Sequence, residues 1–99
     1  MAAKPLEIHP SALAELKSAL SWYLERNQIA ADRFAIELNR AMELIVASPR
    51  RWPEGERGSR KFVLRRFPFA IFYREKDATI QVIAVAHGHR RPGYWKDRL

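Results

Sequence analysis

The chain has 99 residues, with 18 Lys or Arg against 11 Asp or Glu, so its formal charge is +7, and it contains no cysteine. That length suits one domain spanning residues 1–99 and leaves no room for a second core, while a hydrophobic share of 47% excludes disorder. The missing cysteines exclude disulfide staples and thiolate metal clusters. With no apolar run long enough to span a membrane and no apolar core in Met1-Ala2-Ala3-Lys4-Pro5, the expectation is a cytoplasmic protein.

In chain order, residues 5–9 alternate Leu6 and Ile8 with polar neighbours, the period of a short strand. His9-Pro10-Ser11 then opens a helix. Proline fits the first turn, and Glu15 is expected to favour the positive end of the helix dipole. Leu13, Leu16, Leu20, Tyr23 and Leu24 recur at spacings of three and four and predict its apolar stripe. Asn27-Gln28 breaks the pattern. A second helix is predicted over about residues 30–47, with Ala31, Phe34, Leu38, Ala41 and Ile45 on one face. Arg33, Glu37 and Arg40 lie opposite at the spacing of intrahelical ion pairs; Asp32, Glu37 and Glu43 read as a solvated face. Ser48-Pro49 ends the helix, because the residue before proline is pushed out of the α region. Two helices so closely joined predict an antiparallel hairpin.

Residues 50–60 carry two Gly, one Pro and no periodicity, and are predicted to be a loop. Three strand-like runs follow, Lys61 to Phe67, Phe69 to Arg74 and Thr79 to His87, with Glu75-Lys76-Asp77-Ala78 turning between the last two. In the last run, alternation sets Ile80, Val82, Ala84 and Ala86 on one face and Gln81, Ile83, Val85 and His87 on the other. Both faces are largely apolar, so this strand is expected at the centre of the sheet. The order β-α-α-β-β-β predicts an α+β fold, a helical hairpin on one face of a mainly antiparallel sheet.

The charge is divided unevenly along this order. Residues 1–49 hold five basic and six acidic side chains, a net of −1; residues 50–99 hold thirteen and five, a net of +8. An anionic partner is therefore attracted to the second half. Among candidate sites, His87 and His89 alternate and face the same way, but no carboxylate or thiol nearby completes a metal site, so neither metal nor cofactor is expected. His87-Gly88-His89-Arg90-Arg91-Pro92-Gly93-Tyr94-Trp95-Lys96 is richer in chemistry. Cleavage of RNA through the ribose 2′-hydroxyl needs a base, an acid and cations to stabilise phosphorane charge, and His87, Arg90 and Tyr94 supply the residue types. In a binding role, Tyr94 and Trp95 stack on a partner while Arg90, Arg91 and His89 meet its charge; alternatively Trp95 folds back as packing, the reading favoured for that residue. Arg65 and Arg66 recur on a neighbouring strand. Alternation there exposes only one of them and leaves the other to snorkel or to pair with an acid such as Glu75.

Ile8-His9-Pro10, Ala14-Glu15-Leu16, Trp22-Tyr23, Pro49, Trp52-Pro53 and Arg65-Arg66-Phe67-Pro68-Phe69 form a recognisable series. Ile71-Phe72-Tyr73-Arg74, Val82-Ile83-Ala84-Val85-Ala86-His87 and Arg90-Arg91-Pro92-Gly93-Tyr94-Trp95 complete it. From about residue 6 to 95 the chain resembles the RelE/ParE superfamily of bacterial type II toxins, often labelled plasmid stabilisation proteins. The resemblance implies a growth-inhibiting toxin neutralised by an acidic antitoxin, with operator DNA contacted through the antitoxin and no membrane partner. RelE-like members cut mRNA in the ribosome, whereas ParE-like members poison DNA gyrase. Phe67-Pro68-Phe69 stands where the nucleases tend to carry an arginine early in the third strand, so the resemblance favours the ParE-like branch, which acts by binding. The alternatives are an mRNA endonuclease using His87, Arg90 and Tyr94, and a binding module of the same fold without activity.

Overall fold

The structure, a computed structural model, describes residues 3–99, so Met1 and Ala2 of the N-terminal segment lie outside it. Its elements follow the predicted order: β1 (Leu6–Ile8), α1 (Pro10–Arg26), α2 (Gln28–Ala47), β2 (Arg60–Val63), β3 (Phe69–Lys76) and β4 (Thr79–His87), with short 3₁₀ turns at Glu56–Gly58 and Lys96–Arg98. The sheet order is β1-β4-β3-β2, with β1 parallel to β4 and the other pairs antiparallel. β4 is central, as its two apolar faces require.

Each helix end has a local cause. The His9 ring accepts from the Ser11 amide through Nδ1 at 3.0 Å, and Pro10 occupies the first turn, where it forfeits no hydrogen bond. Asn27 serves two helices at once. Its extended backbone stops α1 by donating to Tyr23 O at 2.7 Å, and its side chain accepts from Ala30 N at 3.1 Å to start α2. That cap places the start of α2 at Gln28, two residues before the predicted position.

The α2 stripe is as expected, with Ala31, Phe34, Leu38, Ala41 and Ile45 all buried. The α1 stripe is rotated. Ala12 and Ala19 are its buried residues, Leu16, Leu20 and Tyr23 pack partly against the core, and Leu13 and Leu24 are exposed. The small alanines face inward at the centre of the stripe, which leaves Leu13 and Leu24 at its outer margins. Glu15 therefore lies on the inward side between Ala12 and Ala19, beyond the first turn, rather than at the dipole end. The Arg33, Glu37 and Arg40 series forms no ion pair among the described residues. Glu37 instead accepts from the backbone amides of Arg65 and Arg66, at 2.7 and 3.4 Å.

Two strand expectations are corrected. The run predicted over Lys61 to Phe67 ends as a strand at Val63, because Leu64 N donates to Phe69 O and the chain bends there. Arg65 and Arg66 lie in that bend, so strand alternation does not govern them. Both side chains are exposed, and Glu75 pairs with Lys4 and Arg50, at 2.9 and 3.0 Å. The turn after β3 is also tighter than expected: β3 continues through Lys76, and Asp77 takes a left-handed φ of 54°, a conformation aspartate tolerates.

The faces of β4 change partway along it. Phe72 pairs with Ala84 but Tyr73 pairs with Val82, so Ile83 is an extra residue on the β4 side, a β-bulge. Strict alternation fails at that point. Ile80, Val82 and Val85 join the core with Phe34, Leu38, Ile45, Ile71 and Tyr73, while Ile83 and Ala84 form a second cluster with Trp95. The buried Tyr73 hydroxyl donates to Pro49 O at 2.6 Å and ties the end of α2 to the sheet.

Phe34→Ala should destabilise the protein by about 3–5 kcal/mol through the cavity it opens among Tyr23, Phe67 and Phe69. Asn27→Ala, which removes one side-chain cap, should cost only about 1 kcal/mol. Urea denaturation of the two variants checks the order.

Candidate functional site

The bulge has a consequence at the edge of β4. β1 pairs only with Ile80 to Val82, and His9 N closes that pairing on Val82 O at 2.9 Å. Beyond it, side chains close the edge in place of a strand. Glu15 Oε1 accepts from Val85 N at 3.1 Å, and Arg98 Nη1 donates to Ile83 O at 3.1 Å. The two side chains also pair with each other at 2.9 and 3.1 Å, with each guanidinium nitrogen on its own carboxylate oxygen. The Tyr94 hydroxyl donates to the same carboxylate at 2.6 Å.

Burial alone would raise the Glu15 pKa, but the bonds from Arg98, Tyr94 and Val85 and the Arg98 charge outweigh it and hold the carboxyl below its ordinary 4.5. Tyr94 moves the other way. Burial, then its bond to Glu15 and that residue's negative charge, push the phenol up to about 12. At neutral pH, Tyr94 is therefore a neutral donor whose proton is committed to Glu15.

Two grooves meet around Tyr94. A cavity of about 570 Å³ runs between α1 and the ends of β3 and β4, lined by Glu15, Trp22, Tyr23, Phe69, His87, Arg90 and Tyr94 among others. A second, of about 660 Å³, lies toward β2 and the tail and includes Lys61, Val63, Phe72, Arg91, Trp95 and Lys96. Pro68, Phe69, His87, Arg90 and Tyr94 border both and form the ridge between them. At the first groove, Trp22 is 52% exposed, with the Arg26 guanidinium 3.9 Å from its ring centroid.

His87, Arg90 and Tyr94 thus come together on the ridge. The Arg90 guanidinium sits 3.8 Å from the centre of the Tyr94 ring. His87 packs edge-on against Phe69, and its Nδ1 accepts from His89 N at 3.0 Å. His89 lies past the strand in a turn, with its ring 5.0 Å from that of His87, so the turn rather than strand alternation sets their proximity. Among the described residues, no group of three or more His, Asp or Glu side chains is arranged to hold a metal. Arg91 is exposed beside the second groove, and Arg65 and Arg66 are exposed on the bend leading to Phe67-Pro68. Trp95 is not at the surface. It is 5% exposed and packs on Phe72 with ring centres 4.4 Å apart, so its ring fills the far side of the sheet. Phe67 and Phe69 both pack on Phe34, so the two rings of the Phe-Pro-Phe segment support the core while Pro68 stays exposed.

Sequence reasoning missed Glu15 and Arg98 as members of this site. The signal for Glu15 was present, since an acid between Ala12 and Ala19 at intervals of three and four occupies an inward position. Arg98 carried no such signal.

A helical hairpin thus packs on a sheet, and the exposed Arg90 stands where two grooves meet, with Arg91 exposed beside the second. The sequence matches the family described as ParE toxin of type II toxin-antitoxin system, parDE, over residues 6–92, and the chain belongs to that family. Among solved structures it is similar to one titled "Chromosomal ParDE TA system from P. aeruginosa", at 19% identity and a TM-score of 0.74, covering 86% of this chain and 96% of that one. It is also similar to a free-state E. coli toxin RelE carrying two Arg-to-Ala changes, at 19% identity and a TM-score of 0.62, covering 89% of this chain and 86% of that one. At such identities the structural likeness establishes the fold. No curated protein matches the chain in sequence.

The Glu15 pKa gives a pH prediction. Because its folded value lies below its unfolded one, the stability it contributes is present above the unfolded value and is lost as pH falls through the folded one. Between about pH 5 and pH 3, Glu15→Gln should lose less of its melting temperature than the natural protein loses. A residual slope should remain from Glu75, whose carboxyl is also held low by Lys4 and Arg50.

Proposed function

We propose that the chain, taken as one toxin domain over residues 1–99, arrests growth by binding DNA gyrase and is neutralised by an acidic antitoxin. The observation that carries a binding mechanism is the state of Tyr94. Its phenol donates to Glu15 at 2.6 Å, so its proton is engaged within the fold, and burial with that bond pushes the phenol up to about 12. The Arg90 side chain beside it makes no ion pair or hydrogen bond among the described residues, so its charge is available to a partner. Arg65, Arg66 and Arg91 add exposed charge nearby, and His89 lies within the same turn. Gyrase as the target rests on membership of the ParE family. The antitoxin rests on the same membership and on the ParDE title of a similar structure. Acidic chemistry in that partner is supported by the net charge of the second half, +8 from thirteen basic and five acidic residues.

One observation favours a second reading, a ribosome-dependent mRNA endonuclease: His87, Arg90 and Tyr94 line the same groove. On that reading, Tyr94 would have to leave Glu15 when RNA binds.

Purified protein should inhibit gyrase supercoiling, and its antitoxin should restore the activity. Charge reversal at Arg90 should weaken inhibition by about tenfold or more, with a steeper loss at low salt. Normal supercoiling at concentrations that stop growth would overturn the gyrase reading. The appearance of new mRNA 5′ ends inside translated codons, abolished in a His87→Ala, Tyr94→Phe double variant, would establish the nuclease.

A further inference from the structure

We infer that Glu15 is a positioning residue for the ridge: from α1 it fixes the Tyr94 ring, and the ring fixes the Arg90 guanidinium where the two grooves meet. The inference rests on the proposal that this ridge faces the target, and it adds a residue remote from the ridge in sequence.

The chain of contacts is short and each link is directional. Arg90 is exposed and makes no side-chain hydrogen bond or ion pair among the described residues; what orients it is the Tyr94 ring, 3.8 Å from its guanidinium carbon. An arginine held on an aromatic face loses less rotamer freedom on binding than one free in solvent. The ring in turn is held by its hydroxyl on Glu15 at 2.6 Å, with Arg98 a further 5.2 Å neighbour. Glu15 has little freedom to shift, because Val85 N and both terminal nitrogens of Arg98 bond to it. Rigidity thus passes from the edge of β4 through Glu15 and Tyr94 to Arg90.

The charges fit the same role. An acid this close to the ridge would ordinarily draw Arg90 into an ion pair and cancel it. Here Arg98 neutralises Glu15 from the inner side, in a pair whose side chains are only 17% and 15% exposed. Arg90 keeps its positive charge directed at the groove, suited to a carboxylate or phosphate on the partner.

Four variants test this: Glu15→Ala, Glu15→Gln, Tyr94→Phe, and Glu15→Ala combined with Tyr94→Phe. Two readouts are needed, the concentration for half-inhibition of gyrase and the ring-current displacement of the Arg90 side-chain protons by NMR. Glu15→Ala and Tyr94→Phe should each weaken inhibition about tenfold, the scale of one oriented charge contact. The double variant should be no worse than either, since both act through the same ring. Glu15→Gln, which keeps an acceptor for the Tyr94 hydroxyl, should recover most of the loss and retain the Arg90 displacement that Glu15→Ala abolishes. Single losses that multiply, or an unchanged Arg90 displacement in folded Glu15→Ala, would overturn the inference. If Glu15→Ala does not fold, Tyr94→Phe decides, because it cuts the link while leaving Glu15 bonded to Val85 and Arg98. If the natural protein leaves gyrase unaffected, the target reading fails by itself and the Arg90 displacement still decides the positioning.

Discussion

Strand β4 extends past the end of its parallel neighbour, and an edge left with bare amides and carbonyls beside a packed helix is costly. The fold meets that constraint with one ion pair. Glu15 takes the Val85 amide, Arg98 takes the Ile83 carbonyl, and the two bond to each other. Three regions distant in sequence are joined there: the first helix, the central strand and the C-terminal turn. The β-bulge at Ile83 sits at the same point. It turns Val85 toward the helices and gives Ile83 and Ala84 to the opposite face, where Trp95 covers them. Tyr94, the residue just before Trp95, is thereby brought to Glu15.

Much of the architecture was legible in the sequence because its causes are local. The α2 stripe, the proline after His9, the Asn27 break and the doubly apolar β4 each follow from spacing or from one residue's backbone preference. What could not be read depended on contacts between remote segments. Alternation placed Val85 and Ile83 on one face, but an extra residue in β4 separates them. Composition puts Arg65 and Arg66 in a strand-like run, yet Glu37 of α2 captures their amides in a bend. For the site, the clustering of His87, Arg90 and Tyr94 was visible in the tail motif. The carboxylate that accepts from Tyr94 was not, since it lies 70 residues from Val85 and 79 from Tyr94 along the chain. Trp95 shows the limit of composition: an aromatic in a basic tail looks suited to stacking, but its ring is already covered by Phe72.

The basic second half takes on a more specific meaning once individual charges are placed. Several cations are engaged inside the molecule: Arg98 on Glu15, Arg50 on Glu75, Lys96 on Glu56, and Arg60 on the carbonyl of Trp52. Of these, the Arg98–Glu15 pair is the one mostly shielded from solvent, at 17% and 15% exposure. Arg65, Arg66, Arg90 and Arg91 are exposed around the bend and the ridge, where their charge is open to an anionic partner. Total charge alone would not separate the two sets. The chain belongs to the ParE toxin family, and the proposal that it acts by binding draws on this second, exposed set.

The topology of plasmid DNA in cells expressing the protein without an antitoxin tests that account most directly, because it reads gyrase in place. The account predicts that, as growth stops, plasmids lose negative supercoils or are recovered as cleaved linear molecules. Arrested growth with plasmid topology unchanged would contradict it.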